Sequence, residues 1–161
     1  MNLPPEAFVP SRTTRSLRLL VGLALLASRH DLPKDVTEAF QKATEFDLYS
    51  LDPAKETKEG FHGWTVLGKT PVKGDLALQL RKALEKGMDE NKAAKGACFI
   101  PRHGIRLVRE KKTYDLVICF QCLQICVYEG EKEVGWSLTS QSPAELFNKT
   151  LADAKVPLPA K

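Results

Sequence analysis

The sequence predicts an α+β fold, an antiparallel β-meander with helices packed on one face, behind an N-terminal apolar segment. Three observations carry that reading. Strand-like runs follow one another between Ala97 and Thr139. The joints between them are too short for a crossover, which favours antiparallel neighbours. Amphipathic stretches of helical period flank this block on both sides.

The first helical pattern starts at Lys34. Asp35 and Glu38 form a D-x-x-E capping box, and Val36, Phe40, Ala43 and Phe46 share one face up to a stop at Asp52-Pro53. Ala54–Gly60 reads as a charged linker. Phe61–Val72 carries β-type residues around Trp64, Val66 and Leu67, with a bend expected at Gly68 and a break at Pro71. Asp75 caps a second helix with Leu76, Leu80, Ala83, Leu84 and Met88 on one face. Strands are expected over Ala97–Ile100, Ile105–Arg109, Tyr114–Phe120, Leu123–Tyr128 and Val134–Thr139. Ser142-Pro143-Ala144-Glu145 is a capping box with Pro in the first helical position. Leu146, Phe147, Thr150, Leu151 and Ala154 follow as a stripe, and Val156-Pro157-Leu158-Pro159 ends it.

Composition sets bounds on function. The chain of 161 residues is one domain's worth, 43% hydrophobic and 27% charged, with a net charge of +4. Lys and Arg alternate with Glu and Asp along residues 34–58, 81–95 and 102–112. Nucleic-acid binding would call for a basic stripe, so these read as solvated faces and no nucleic-acid partner is expected.

Arg12, Arg15 and Arg18 precede the apolar run Leu19–Ala27, too short to span a bilayer but suited to the core of a secretory signal. Residues 1–28 are therefore read as a signal or targeting segment, and 29–161 as a single α+β domain. Cleavage near Ser28 would remove three Arg and one Glu, taking the net charge from +4 to +2. The expected location is the periplasm or cell envelope, or the cytoplasm if the run is a buried helix instead.

Gly63–Thr70 spells G-x-x-x-x-G-K-T, the string of a phosphate-binding loop. The chemistry needs a buried strand before it and a helix directly after, whose amides cradle phosphates. Here bulky Trp, Thr, Val and Leu fill the loop positions, and Pro71 pushes Thr70 out of the helical region. No nucleotide partner is expected, and the segment reads as a strand.

All four cysteines lie between Cys98 and Cys126. Cys98, His103, Cys119 and Cys122 offer three sulfurs and an imidazole, the donor set of a tetrahedral zinc site. In a straight strand, side chains three apart point to opposite faces, so Cys119 and Cys122 meet only if the chain turns or bulges between them. The same residues also suit a disulfide, a reactive thiol or plain core packing, and the cofactor reading stays between zinc and none. Arg102 and Arg106 beside His103 are candidate ligand-binding residues for an anion. Asp115 heads a strand where it could orient an imidazole, and His62 shows no partner in sequence. No catalytic residue stands out, since neither a nucleophile elbow nor paired carboxylates occur.

The blocks LYSLDP, FHGWTVLGKT, ACFIPRHGIR and DLVICFQCLQICVYEG resemble a family of small uncharacterised bacterial proteins, exported and of planctomycete type. The pattern C-F-x-P-R-H-G-I followed by I-C-F-x-C marks Cys98, Pro101, His103, Gly104, Cys119 and Cys122, and leaves Cys126 aside. The resemblance implies that Cys98, Cys119 and Cys122 act as a set. It implies no known activity, substrate or cofactor. Family members often end their signal at a lipid-anchored cysteine, where this chain has Ser28. The expected function is a non-catalytic binding or structural module with a cysteine-based staple, metal or disulfide, and an envelope protein partner. The alternative is a metal- or thiol-dependent enzyme working through Cys98, Cys119, Cys122 and His103.

Overall fold

A computed structural model describes residues 32–91 and 97–160. The N-terminal run read as a signal lies outside the described residues. The elements are α1 (Lys34–Lys42), β1 (Glu45–Phe61), β2 (Trp64–Lys73), α2 (Gly74–Glu90), β3 (His103–Arg109), β4 (Lys112–Cys119), β5 (Gln124–Glu129), β6 (Lys132–Leu138) and α3 (Ala144–Asp153). The strands form one antiparallel sheet in the order β2-β1-β3-β4-β5-β6, so the α+β meander is as expected.

All three helices lie on one face. Val36 and Phe40 of α1, Leu80 and Leu84 of α2, and Phe147 and Leu151 of α3 bury against Leu48, Ile105, Leu116 and Ile118 of the sheet. Side chains alternate along each strand, so Tyr49, Leu51 and Val117 fall on the opposite face and form a smaller apolar cluster with Phe61.

The first helix departs from expectation. It ends at Lys42, Pro33 stands at its N-cap, and no side chain closes that cap. Phe46, which fits the helical stripe, instead begins the strand sequence Phe46-Asp47-Leu48-Tyr49-Ser50-Leu51 of β1. Both faces of that strand are covered, so its apolar residues run nearly continuously, and tertiary pairing overrides the local helical period. The charged stretch 54–60, expected as a linker, is the outer arm of the same strand. Ala97–Ile100, expected as a strand, is irregular, whereas His103 and Gly104, expected in a joint, open β3.

The bend expected at Gly68 appears as a register shift: Ser50 faces Gly68 but Leu51 faces Val66. Further shifts between Asp52 and Glu56 and between Glu56 and Phe61 curl the β1–β2 hairpin. Bulges of this kind bend and twist a ribbon. Here they lay the tip, Phe61 and His62, on the face away from the helices. Phe61 stacks on Tyr49 with ring centroids 4.4 Å apart. A Cβ on Gly104 would stand 2.6 Å from the Phe61 ring, so only glycine admits the tip at that point.

On the other face, the loop before α3 docks on α2. The N–H of Ser140 donates to the Gly87 carbonyl at 2.8 Å, and a Cβ on Gly87 would meet Pro143 and Thr139. Ser142 does not cap α3 as its sequence suggests. Its hydroxyl donates to Glu90 Oε2 at 2.7 Å, tying the loop to the end of α2.

Candidate functional site

The structure brings three of the four sulfurs together at one end of the sheet. β4 ends at Cys119, residues 120–123 turn, and Leu123 takes a left-handed conformation with φ 59°. That turn lets Cys119 and Cys122 meet, and they are joined as a disulfide with Cα atoms 5.2 Å apart. Cys98 arrives from the irregular 97–100 segment, exposed and unbridged, with its Sγ 3.5 Å from that of Cys122. Backbone donors serve both bridged sulfurs. Cys122 N–H donates to Cys119 Sγ at 2.9 Å, and Ile100 N–H donates to Cys122 Sγ at 3.3 Å. Cys126 lies elsewhere, on β5 beside the smaller apolar cluster.

His103 does not join the sulfurs. It pairs in register with Ile118, one residue short of Cys119, and adjacent strand residues point to opposite faces. Its ring is buried on the helix side, 5.2 Å from the Phe120 centroid and 5.8 Å from that of Phe147. Burial in this aromatic setting, reinforced by nearby Arg102, pushes its pKa down to about 4 against the Asn148 hydrogen bond. The ring is therefore neutral at pH 7, and its Nε2–H donates to Asn148 Oδ1 at 3.0 Å. The expected zinc set of Cys98, His103, Cys119 and Cys122 is not assembled. Two of its sulfurs are bonded to each other and its imidazole faces the other way. Among the described residues, no group of three or more Cys, His, Asp or Glu side chains is arranged to hold a metal ion.

Ser50 faces His103 across β1 and β3, buried, with no hydrogen-bond partner for its hydroxyl among the described residues. The series Ser50, His103, Asn148 thus has no nucleophile open to a substrate.

A groove of about 810 Å³ opens over His103, between α3 and the strand ends. Ile100, Phe120, Ala144 and Leu158 supply apolar lining, and Arg102, Gln121 and Gln141 supply polar groups. The C-terminal tail forms one wall. Lys155, two residues past α3, takes a left-handed conformation, Val156 N–H donates to the Leu151 carbonyl, and Arg102 Nη1 donates to the Ala160 carbonyl at 2.7 Å.

Arg106, grouped in sequence with Arg102, is committed elsewhere. Its guanidinium grips Asp115 with two hydrogen bonds, Nε to Oδ1 at 2.8 Å and Nη2 to Oδ2 at 2.6 Å. His62 Nε2–H donates to the same Oδ2 at 2.6 Å, while its ring stacks on Tyr128 at 3.8 Å. Burial would raise the Asp115 carboxyl. The hydrogen bonds from Arg106 and His62 outweigh it and hold the group below the ordinary carboxylate range. Asp115 therefore does orient an imidazole, and His62 has the partner its sequence context hides, 53 residues away. Both carboxylate oxygens are occupied and the His62 side chain is almost fully buried, so the trio clamps the hairpin tip to the sheet.

Lys69 and Thr70 of the phosphate-loop string sit within β2, and Lys69 Nζ is paired with Asp47 at 2.7 Å. No helix follows the string until Gly74. Comparisons with family models, with curated proteins and with solved structures find no match.

Proposed function

We propose that the domain is a non-catalytic binding module that holds an extended, apolar, proline-containing peptide segment of a partner protein in the groove between α3 and the strand ends. The observation that carries this reading is the way the groove already treats one such segment. In the tail Val156-Pro157-Leu158-Pro159-Ala160, Val156 and Pro157 pack beside Gly68 of β2, while Leu158 enters the groove lining and the Ala160 carbonyl is caught by Arg102. Proline-rich segments lose little entropy when held extended, and apolar floors with a few convergent polar groups suit them. The neutral His103–Asn148 pair gives the floor polarity without a buried charge. The bridge at Cys119 and Cys122 fixes the 120–123 turn, whose Phe120 and Gln121 line the groove. An exported, envelope setting belongs to the same proposal.

The test is an NMR titration of the whole chain with a synthetic Val-Pro-Leu-Pro-Ala peptide. Saturable shifts at Ala144, Asn148 and Ala152 are expected, and they should vanish in Ala152→Trp, which fills the groove from an exposed position on α3. Shifts scattered over the surface, or unchanged by Ala152→Trp, would overturn the reading.

A further inference from the structure

We propose that Cys98, Cys119 and Cys122 form a thiol–disulfide exchange centre, in which Cys98 passes the buried bridge to low-molecular-weight thiols in solution. The inference is independent of the groove. It stands on the three-sulfur geometry and on the two backbone donors aimed at it.

Cys119 and Cys122 are both about 1% exposed, so a thiol in solution does not reach their bridge directly. Cys98 does meet solvent, and its sulfur already touches that of Cys122 at 3.5 Å. Exchange proceeds by attack of a thiolate on one sulfur of a disulfide and departure of the other. In the first step Cys98 gives its proton to water, and its thiolate attacks Cys122 Sγ. The Cys98–Cys122 bond forms, the Cys119–Cys122 bond breaks, and the electron pair leaves on Cys119. The N–H of Cys122, 2.9 Å from Cys119 Sγ, is placed to receive that negative charge. Nothing is oxidised or reduced overall, and no further reagent is needed.

The new bridge has one exposed end. A thiol R–SH, deprotonated by solvent, attacks Cys98 Sγ and forms the mixed disulfide R–S–S–Cys98, and Cys122 leaves as the thiolate. Ile100 N–H, 3.3 Å from Cys122 Sγ, serves that second leaving group. A second R–SH then releases R–S–S–R and returns Cys98 to the thiol. Two thiols are oxidised to R–S–S–R, the protein disulfide is reduced, and the two protons the thiols release reach the Cys119 and Cys122 thiolates through solvent. Each sulfur that must depart thus has its own N–H donor, and good leaving groups speed exchange. A bridge serving packing alone would need neither the third sulfur in contact nor a donor on each end.

The test follows the reduction of the folded protein by glutathione, stopped by acid and alkylation and read by mass spectrometry. Wild type should lose its bridge faster than Cys98→Ser, on the order of tenfold. Cys98 is exposed, so that variant keeps the fold. Equal rates in the two proteins would overturn the proposal. The second variant is Cys119→Ser, with folding checked by circular dichroism. In a glutathione redox buffer it should collect a Cys98–Cys122 linkage, found by peptide mapping. If it folds and both thiols stay reduced or carry only glutathione, the proposal fails. If it does not fold, the rate comparison decides alone.

Discussion

Each face of the sheet buries one histidine, and the two are held in opposite electrical states of surroundings. On the helix face, His103 sits among Phe120 and Phe147 with an uncharged partner, Asn148. On the other face, His62 sits on Tyr128 with a carboxylate, and that carboxylate is gripped by Arg106. On the helix face the imidazole is hydrogen-bonded to a neutral amide and has no carboxylate partner, so burial drives it neutral. The hairpin face is roofed by a curled ribbon, and its partly exposed Arg106 lets an ion pair keep contact with water. The same side chain therefore serves as a neutral filler on one side and as a hydrogen-bond donor to the Asp115–Arg106 ion pair on the other.

The comparison predicts where damage should hurt most. Phe147→Ala should cost about 3–5 kcal/mol in urea unfolding, because it removes a fully buried ring packed against both Phe120 and His103. A loss much smaller than this would mean that the helix face is not the main core.

Next in size is the acid response of His103. Its pKa falls from an ordinary 6.5 in the unfolded chain to about 4 in the folded one. Between these values the unfolded state binds more protons. Stability is complete above the unfolded value and drains away as pH falls through the folded one, about 3 kcal/mol in all. His103→Gln keeps an amide donor and cannot titrate, so its unfolding free energy should be flatter over that window than wild type. Parallel curves would sink the assignment.

The hairpin face should respond less and more locally. Asp115→Asn removes the ionic clamp but leaves Arg106 access to water, for an expected loss of about 1–3 kcal/mol. Hydrogen exchange should quicken first at Thr57, whose N–H donates to the Gly63 carbonyl near the hairpin tip, while the strands under the helices stay protected. The Asp115 pKa lies below the ordinary carboxylate value, so its share of stability is lost only in stronger acid than that of His103. Uniformly faster exchange would show instead that the two faces open as one unit.

How legible these faces were in the sequence differs for the same physical reason. The helix face is written in local periods. The stripe of α3, the Leu80 and Leu84 face of α2 and the short joints of β3 to β6 all depend on neighbours a few residues apart, and they fold as read. Leu76 and Ala154 are exceptions: Leu76 is exposed while Ala77 takes the buried position, and Ala154 is exposed past the end of α3. The hairpin face depends on pairings that no local window contains. Phe46 satisfies a helical and a strand period equally, and the sheet decides between them. The charged run 54–60 shows nothing of the bulges that curl it, and His62 finds Asp115 across 53 residues.

At the sulfur cluster, the need for a turn between Cys119 and Cys122 follows from strand geometry alone, and residues 120–123 supply it. The side of the sheet on which His103 falls was not legible, because it hinges on one residue of register: read as a joint, His103 is free to approach the sulfurs, while as the first residue of β3 it is turned away from them.

The strand order leaves β2 and β6 as the outermost ribbons of the sheet. β2 carries Pro71, which withdraws a backbone donor, together with Lys69, Lys73 and the register shift beside Gly68. β6 opens on Lys132 and Glu133 and is interrupted where its register with β5 slips between Val127 and Tyr128. Interruptions and charges of this kind discourage a foreign strand from extending a sheet. Crowding many copies of this domain together should therefore not zip them into ribbons, and its margins are protected against amyloid-like growth.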